Sequence, residues 1–203
     1  MKKLLLVLSL FLAFSCTMSI EKRCEALAKS EIQKLIGSKA DYEVLETKVD
    51  SAYTSIYTNP DVAKAAYELM ELNADAKRKM LQYDYNDAKS SMAIWSGSDS
   101  AFSREQYRQA KEKLDDCVAK MQELDAEESS AIEKIRTSAN NVEEGQFCGY
   151  NIYQRFRSGS EVVTVLIIAD ENIENVIGRF IIDDNVDYSL QNLKKVIDKV
   201  VKK

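Results

Sequence analysis

Ser19-Ile20-Glu21-Lys22 has the S-x-x-K spacing in which a lysine amine can take the proton of a serine nucleophile. The partners such enzymes need, Ser-Asp-Asn and Lys-Thr-Gly, are missing, so the string reads as a chance match beside the N-terminal segment. Asp183, Asn185 and Asp187 have the D-x-N-x-D spacing that opens a calcium loop. Tyr188 stands where the turn glycine belongs and Lys194 where the bidentate glutamate belongs, which points instead to a polar turn with Asp187 capping the last helix. Carboxylate pairs such as Asp115-Asp116 and Glu127-Glu128 could share acid and base roles, but on a long helix they read as a solvated face.

Arg155, Arg157 and Arg179 form the candidate anion site, because three guanidinium groups together could hold a carboxylate, sulfate or phosphate. Nearby Glu161, Asp183 and Asp184 offer the competing use, ordinary ion pairs across strands. The chain has no histidine among its 203 residues. That removes His-based triads, imidazole general bases and zinc sites that mix His with other ligands. Cys24, Cys117 and Cys148 are spaced for no metal motif, and no metal or other cofactor is expected. Cys24 and Cys148 form the candidate disulfide, since Cys117 falls too far along a helical arm to come within the about 7 Å that a bridge allows.

The elements that would carry these groups can be read from periodicity. Lys2 and Lys3 precede an apolar run from Leu4 to Phe14, too short to span a bilayer, which reads as an export signal over residues 1–15. Ala13 and Ser15 are small residues before Cys16, so Cys16 is the expected lipidation site, with 16–20 as anchor and tether. The alternative is cleavage without lipid and a secreted or periplasmic soluble protein. Formal net charge is −5, and loss of Lys2 and Lys3 makes the mature chain more acidic, which argues against nucleic acid as a partner.

Residues 21–36 read as an amphipathic helix with Leu27, Ile32, Leu35 and Ile36 inward and Gly37 as its stop, and residues 42–49 as a strand. Asn59-Pro60-Asp61 is a helix start, opening two long arms over 59–144. The first arm's seam is expected at Val62, Ala66, Leu69, Ala76, Met80, Tyr83 and Ile94. The second arm is expected to begin with a Ser103–Gln106 capping box and a Phe102–Tyr107 staple. Its seam runs from Tyr107 through Ala110, Leu114 and Cys117 to Val142 in steps of three and four. Between the arms, Met92, Ile94, Trp95 and Phe102 are candidate partner-binding residues; the competing reading is that Trp95 closes the seam.

Residues 147–156, 161–168 and 176–182 read as three meandering strands, closed by a helix at 188–201. The expected fold is α+β: a small antiparallel sheet with N- and C-terminal helices (21–58 plus 145–203) carrying a helical hairpin (59–144).

The stretches Tyr42–Tyr53 (YEVLETKVDSAY), Ala88–Gly97 (AKSSMAIWSG) and Gly149–Arg157 (GYNIYQRFR) resemble segments of an uncharacterised family of bacterial secreted lipoproteins. Where relatives often carry histidine, this chain has Gln154. The resemblance implies an address and an architecture, and no activity. The functional expectation is a non-enzymatic lipoprotein of the bacterial cell envelope, held at the membrane through Cys16, acting as a binding or scaffold module with a protein partner. The rival is a hydrolase working through carboxylates or a Ser-Lys pair in a cleft between sheet and hairpin.

Overall fold

The computed structural model describes residues 18–37, 41–183 and 188–202. The export signal, Cys16, Asn185 and Asp187 lie outside the described residues. The chain is α+β and divides into two compact units: one holds the chain up to Ser55 with Glu143–Gln191, the other Ile56–Val142 with the chain from Asn192.

In the sheet unit, α1 (Ile20–Ile36) starts at Ser19, whose Oγ accepts the Lys22 amide at 3.4 Å, and stops at Gly37 with φ 91°. Strands β1 (Glu43–Tyr53), β2 (Phe147–Ser158), β3 (Glu161–Ala169) and β4 (Val176–Ile181) pair antiparallel in the order β1-β2-β3-β4. Helix α1 lies on one face of this sheet. Its Cys24, Ala28 and Ile32 are buried with Ile152, Phe156, Val165, Ile167 and Ala169. Each large side chain so buried contributes about 1.5–3 kcal/mol. Of the four residues expected inward, Ile32 is buried and Leu27 and Ile36 pack against the same cluster, beside small Cys24 and Ala28; Leu35 alone points outward, 51% exposed. Val165 to Ala169 are buried in succession along this internal strand, with Val165, Ile167 and Ala169 in the cluster under α1.

Gly149, at φ 138°, marks a close approach of β2 to β3, since a Cβ there would lie 2.0 Å from the Ala169 carbonyl oxygen. The β3–β4 turn is organised by Asp170. One carboxylate oxygen accepts the Glu174 amide at 2.8 Å and the other the Asn175 side-chain amide at 2.7 Å. Those bonds, the Glu174 amide first, hold the Asp170 carboxyl below the usual aspartate range. Ile173 in the same turn adopts φ 55°.

In the helical unit, α2 (Pro60–Leu72) begins where Asn59 Oδ1 accepts the Asp61 and Val62 amides at 3.0 and 3.2 Å. It is followed by α3 (Ala74–Trp95) and α4 (Ala101–Asn140). Between α2 and α3, Asn73 is left-handed, φ 47° and ψ 46°. Its N–H donates to the Met70 carbonyl, while its own carbonyl accepts from Ala76 and Lys77. The chain therefore stops one helix and nucleates the next at a single residue.

That break corrects the expected first-arm seam. Along α3 the inward residues are Ala74, Arg78, Leu81, Tyr85, Ala88, Met92 and Trp95, while Met80, Tyr83 and Ile94 are 70%, 76% and 70% exposed. A left-handed residue rotates the following helix, so a stripe projected through Asn73 comes out on the wrong side.

The second arm keeps its expected seam. Ser103, Ala110, Cys117, Leu124 and Ala131 are buried at every seventh position, with Tyr107, Leu114, Met121 and Glu128 half-buried between them. Its start differs: Ser100, in an extended conformation, caps α4 by accepting the Ser103 amide at 3.0 Å. Ser103 is thereby buried inside the first turn, so it cannot be the cap of a Ser103–Gln106 box. Cross-arm ion pairs fix the antiparallel register, with Lys134 to Glu68 at 3.0 Å and Lys113 to Asp87 at 3.0 Å.

The last helix, α5 (Leu190–Val201), groups from Asn192 onward with the helical unit, where the expected division gave all of 145–203 to the sheet base. Polar contacts on its outer turns explain the grouping. Tyr57 donates to Asp198 at 2.7 Å, Lys194 lies 5.6 Å from the Tyr57 ring centroid, and Arg136 Nε donates to the Val200 carbonyl at 3.3 Å.

Candidate functional site

The break at Asn73 opens a chamber of about 310 Å³ within the helical unit. Its apolar wall comes from Leu69, Met70, Ile132, Val196 and Val200. Four charged residues line it as well: Asp75, Glu128, Arg136 and Lys199.

Their pairing is unequal. Arg78 takes both acids, with Glu128 at 2.7 Å and Asp75 at 3.5 Å, and also holds Asp125 at 2.8 Å. These carboxylates, Asp125 foremost, raise the Arg78 pKa further above its ordinary value. Arg136 uses Nε on the Val200 carbonyl, and neither Arg136 nor Lys199 has a carboxylate within 4.0 Å among the described residues. The chamber thus combines an apolar wall with two cations that pair with no carboxylate among the described residues, Arg136 keeping both Nη groups free of the Val200 bond. Nothing in the sequence reading singled it out; the signal available was Asn73, a polar residue interrupting a helical stripe.

The three arginines of the candidate anion site are not brought together. Residues two apart on a strand share a face, so Arg155 and Arg157 point to the side opposite α1; Arg179, opposite Ile167 of the core, points toward α1. There it meets buried Glu31 at 3.2 Å, and Lys34 pairs with the same carboxylate. Arg157 pairs with Glu43 at 2.9 Å. Arg155 remains on a shallow cleft of about 540 Å³ with Lys48, Tyr153 and Asp183. Lys48 is paired with Glu46, and Asp183 accepts the Thr164 amide at 2.7 Å.

At the tip between α3 and α4, Trp95 and Phe102 meet edge to face with ring centroids 5.6 Å apart and planes at 87°. Met92 and Trp95 are half-buried in the seam, and Ile94 and Phe102 are exposed. The four candidate partner-binding residues are therefore split between seam closure and surface.

Cys24, Cys117 and Cys148 are free thiols, so the candidate Cys24–Cys148 bridge is absent. Burial pushes both the Cys24 and Cys148 thiols up, which leaves little thiolate at neutral pH. The S-x-x-K serine is spent as the cap of α1. Glu128 and Asp116 are paired with Arg78 and Lys120 respectively. Among the described residues no group of three or more Cys, Asp or Glu side chains is placed to hold a metal, and no helix is long and apolar enough to cross a membrane.

No family model, no curated protein and no solved structure matches the chain.

Proposed function

We propose that this chain is a non-enzymatic binding module of the bacterial cell envelope, tethered by lipid on Cys16 and holding a small ligand in its helical unit. The observation that carries the binding half is the chamber at Asn73, which joins an apolar wall to two cations without a carboxylate partner among the described residues. The anchoring half rests on the Lys2-Lys3 start, the apolar run to Phe14 and the small residues before Cys16, together with the lipoprotein resemblance. The use of Ser19 as a helix cap and of Glu128 as an Arg78 partner favours a binding role over the hydrolase reading.

Native mass spectrometry of the full chain, extracted from its own envelope in mild detergent, tests the binding half. A small-molecule adduct is expected on the natural chain and its loss in Val196→Trp, which fills the chamber. A natural chain with no adduct overturns it. For the anchor, Cys16→Ala should leave the membrane fraction; continued sedimentation with membranes refutes lipid tethering.

A further inference from the structure

We infer that the chamber's ligand is an amphipathic carboxylate: a single anionic head held by Arg136 and Lys199, and a short unbranched apolar tail lying on the wall. The inference rests on the binding reading above and names the class of ligand.

The head group follows from which donors remain. Glu128 Oε2 and Asp75 Oδ1 pair with Arg78, at 2.7 and 3.5 Å, and neither acid pairs with Arg136 or Lys199. Arg136 spends only Nε, on the Val200 carbonyl at 3.3 Å, leaving both Nη groups in the planar fork that fits a carboxylate; Lys199 adds a point charge from the neighbouring helix. A neutral ligand would leave those donors unmatched when it displaced their water, which costs about 1–3 kcal/mol per desolvated polar group.

The tail follows from the wall. Leu69, Met70, Ile132, Val196 and Val200 contribute no side-chain hydrogen-bonding group beyond the weak Met70 sulfur, so the part of the ligand they cover must be apolar. The volume of about 310 Å³ stands at the lower limit of the roughly 300–1,000 Å³ range of ligand sites, which sets the tail at a few carbons rather than a long acyl chain. Met70, an unbranched and flexible side chain in the wall, lets that wall adjust to tails of slightly different length.

The test is a calorimetric titration of the full chain in detergent with hexanoate, hexan-1-ol and acetate, each against a detergent-only blank. Saturable hexanoate binding is expected, with hexan-1-ol and acetate each at least ten-fold weaker. Arg136→Gln should weaken hexanoate about ten-fold and Lys199→Gln at least three-fold, while Arg155→Gln on the sheet leaves it unchanged. Because Arg136→Gln also removes a bond to α5, Lys199→Gln is the decisive variant if the former unfolds. Hexan-1-ol binding as tightly as hexanoate, or an unchanged Lys199→Gln, overturns the anionic head. Acetate binding as tightly overturns the tail. No saturable binding by any of the three, alongside a native adduct in mass spectrometry, defeats this ligand class and leaves the binding module standing; absence of both defeats both.

Discussion

Thr54 and Gln146, 92 positions apart, exchange two hydrogen bonds: the Thr54 amide donates to the Gln146 carbonyl at 2.8 Å, and the Gln146 amide donates to Thr54 Oγ1 at 3.0 Å. The same threonine accepts the Gly145 amide on its carbonyl at 2.9 Å and donates its hydroxyl to the Glu143 carbonyl. One residue thus clasps the two strands where the chain leaves the sheet and returns to it. Thr54→Val keeps the shape and removes both hydroxyl bonds. It should lower stability by about 1–3 kcal/mol, since net hydrogen bonds are worth roughly 0.5–1.5 kcal/mol each. Thr54→Ser should cost far less, and denaturant titration of the two side by side decides it.

Asn73 provides a second test. A left-handed conformation costs most residues about 1–2 kcal/mol, asparagine less and glycine almost nothing. Asn73→Gly is therefore expected within about 0.5 kcal/mol of the natural chain, whereas Asn73→Val should lose about 1–2 kcal/mol or more. Thermal melts followed by circular dichroism measure this. Equal melting of both variants would mean the helix break is imposed from elsewhere.

Gln154 sits 3% exposed in the sheet unit, with Nε2 donating to Thr47 Oγ1 at 3.0 Å and Oε1 buried without a partner among the described residues. Replacing both members by apolar groups removes an unsatisfied acceptor along with the bond. The double variant Gln154→Met, Thr47→Val should be at least as stable as the natural chain. A loss above about 2 kcal/mol would show that Oε1 is satisfied in solution.

The Asp170 turn makes stability depend on acid. Its carboxyl titrates below the ordinary aspartate value of about 3.9 because the charged form accepts the Glu174 and Asn175 groups. A depressed folded value stabilises the turn above about pH 3.9, and that contribution disappears as pH falls through the lower folded value. Protection of the Glu174 amide against hydrogen exchange should fall away in that window. In Asp170→Asn it should be lower throughout and independent of pH there.

Local pattern made some of this readable in advance. The continuous apolar run over Val162–Ile168, the Asn59-Pro60 start and the second-arm heptads depend on neighbours in sequence, and each took its expected place. The first-arm seam failed because phase is cumulative. One backbone angle at Asn73 turned Met80 and Tyr83 outward, and composition does not announce a left-handed asparagine. The arginines failed for a different reason: strand parity put Arg155 and Arg157 together, but the face taken by Arg179 depends on a register set across β3. Of the candidate site, only the polar interruption at Asn73 was visible. Its apolar wall combines residues from α2, α4 and α5 whose meeting no local rule predicts.

The placement of the helical segment between β1 and β2 has a consequence for how the chain acquires its structure. Each of helices α2 to α4 forms from contacts within its own segment, and the hairpin of α3 and α4 can close outward from its short turn, whereas every β1–β2 pair must close a loop spanning the whole insertion. Packing of α2 against the far end of α4, fixed by Glu68 and Lys134, brings the ends of that loop together before a strand pair forms. The β2–β3–β4 meander can zip by itself; β1 is then the last strand to join. Until it does, Val44 and Leu45 stand on an unpaired strand, and the interval before the Thr54 clasp closes is when a newly made chain is most exposed to pairing with the wrong edge.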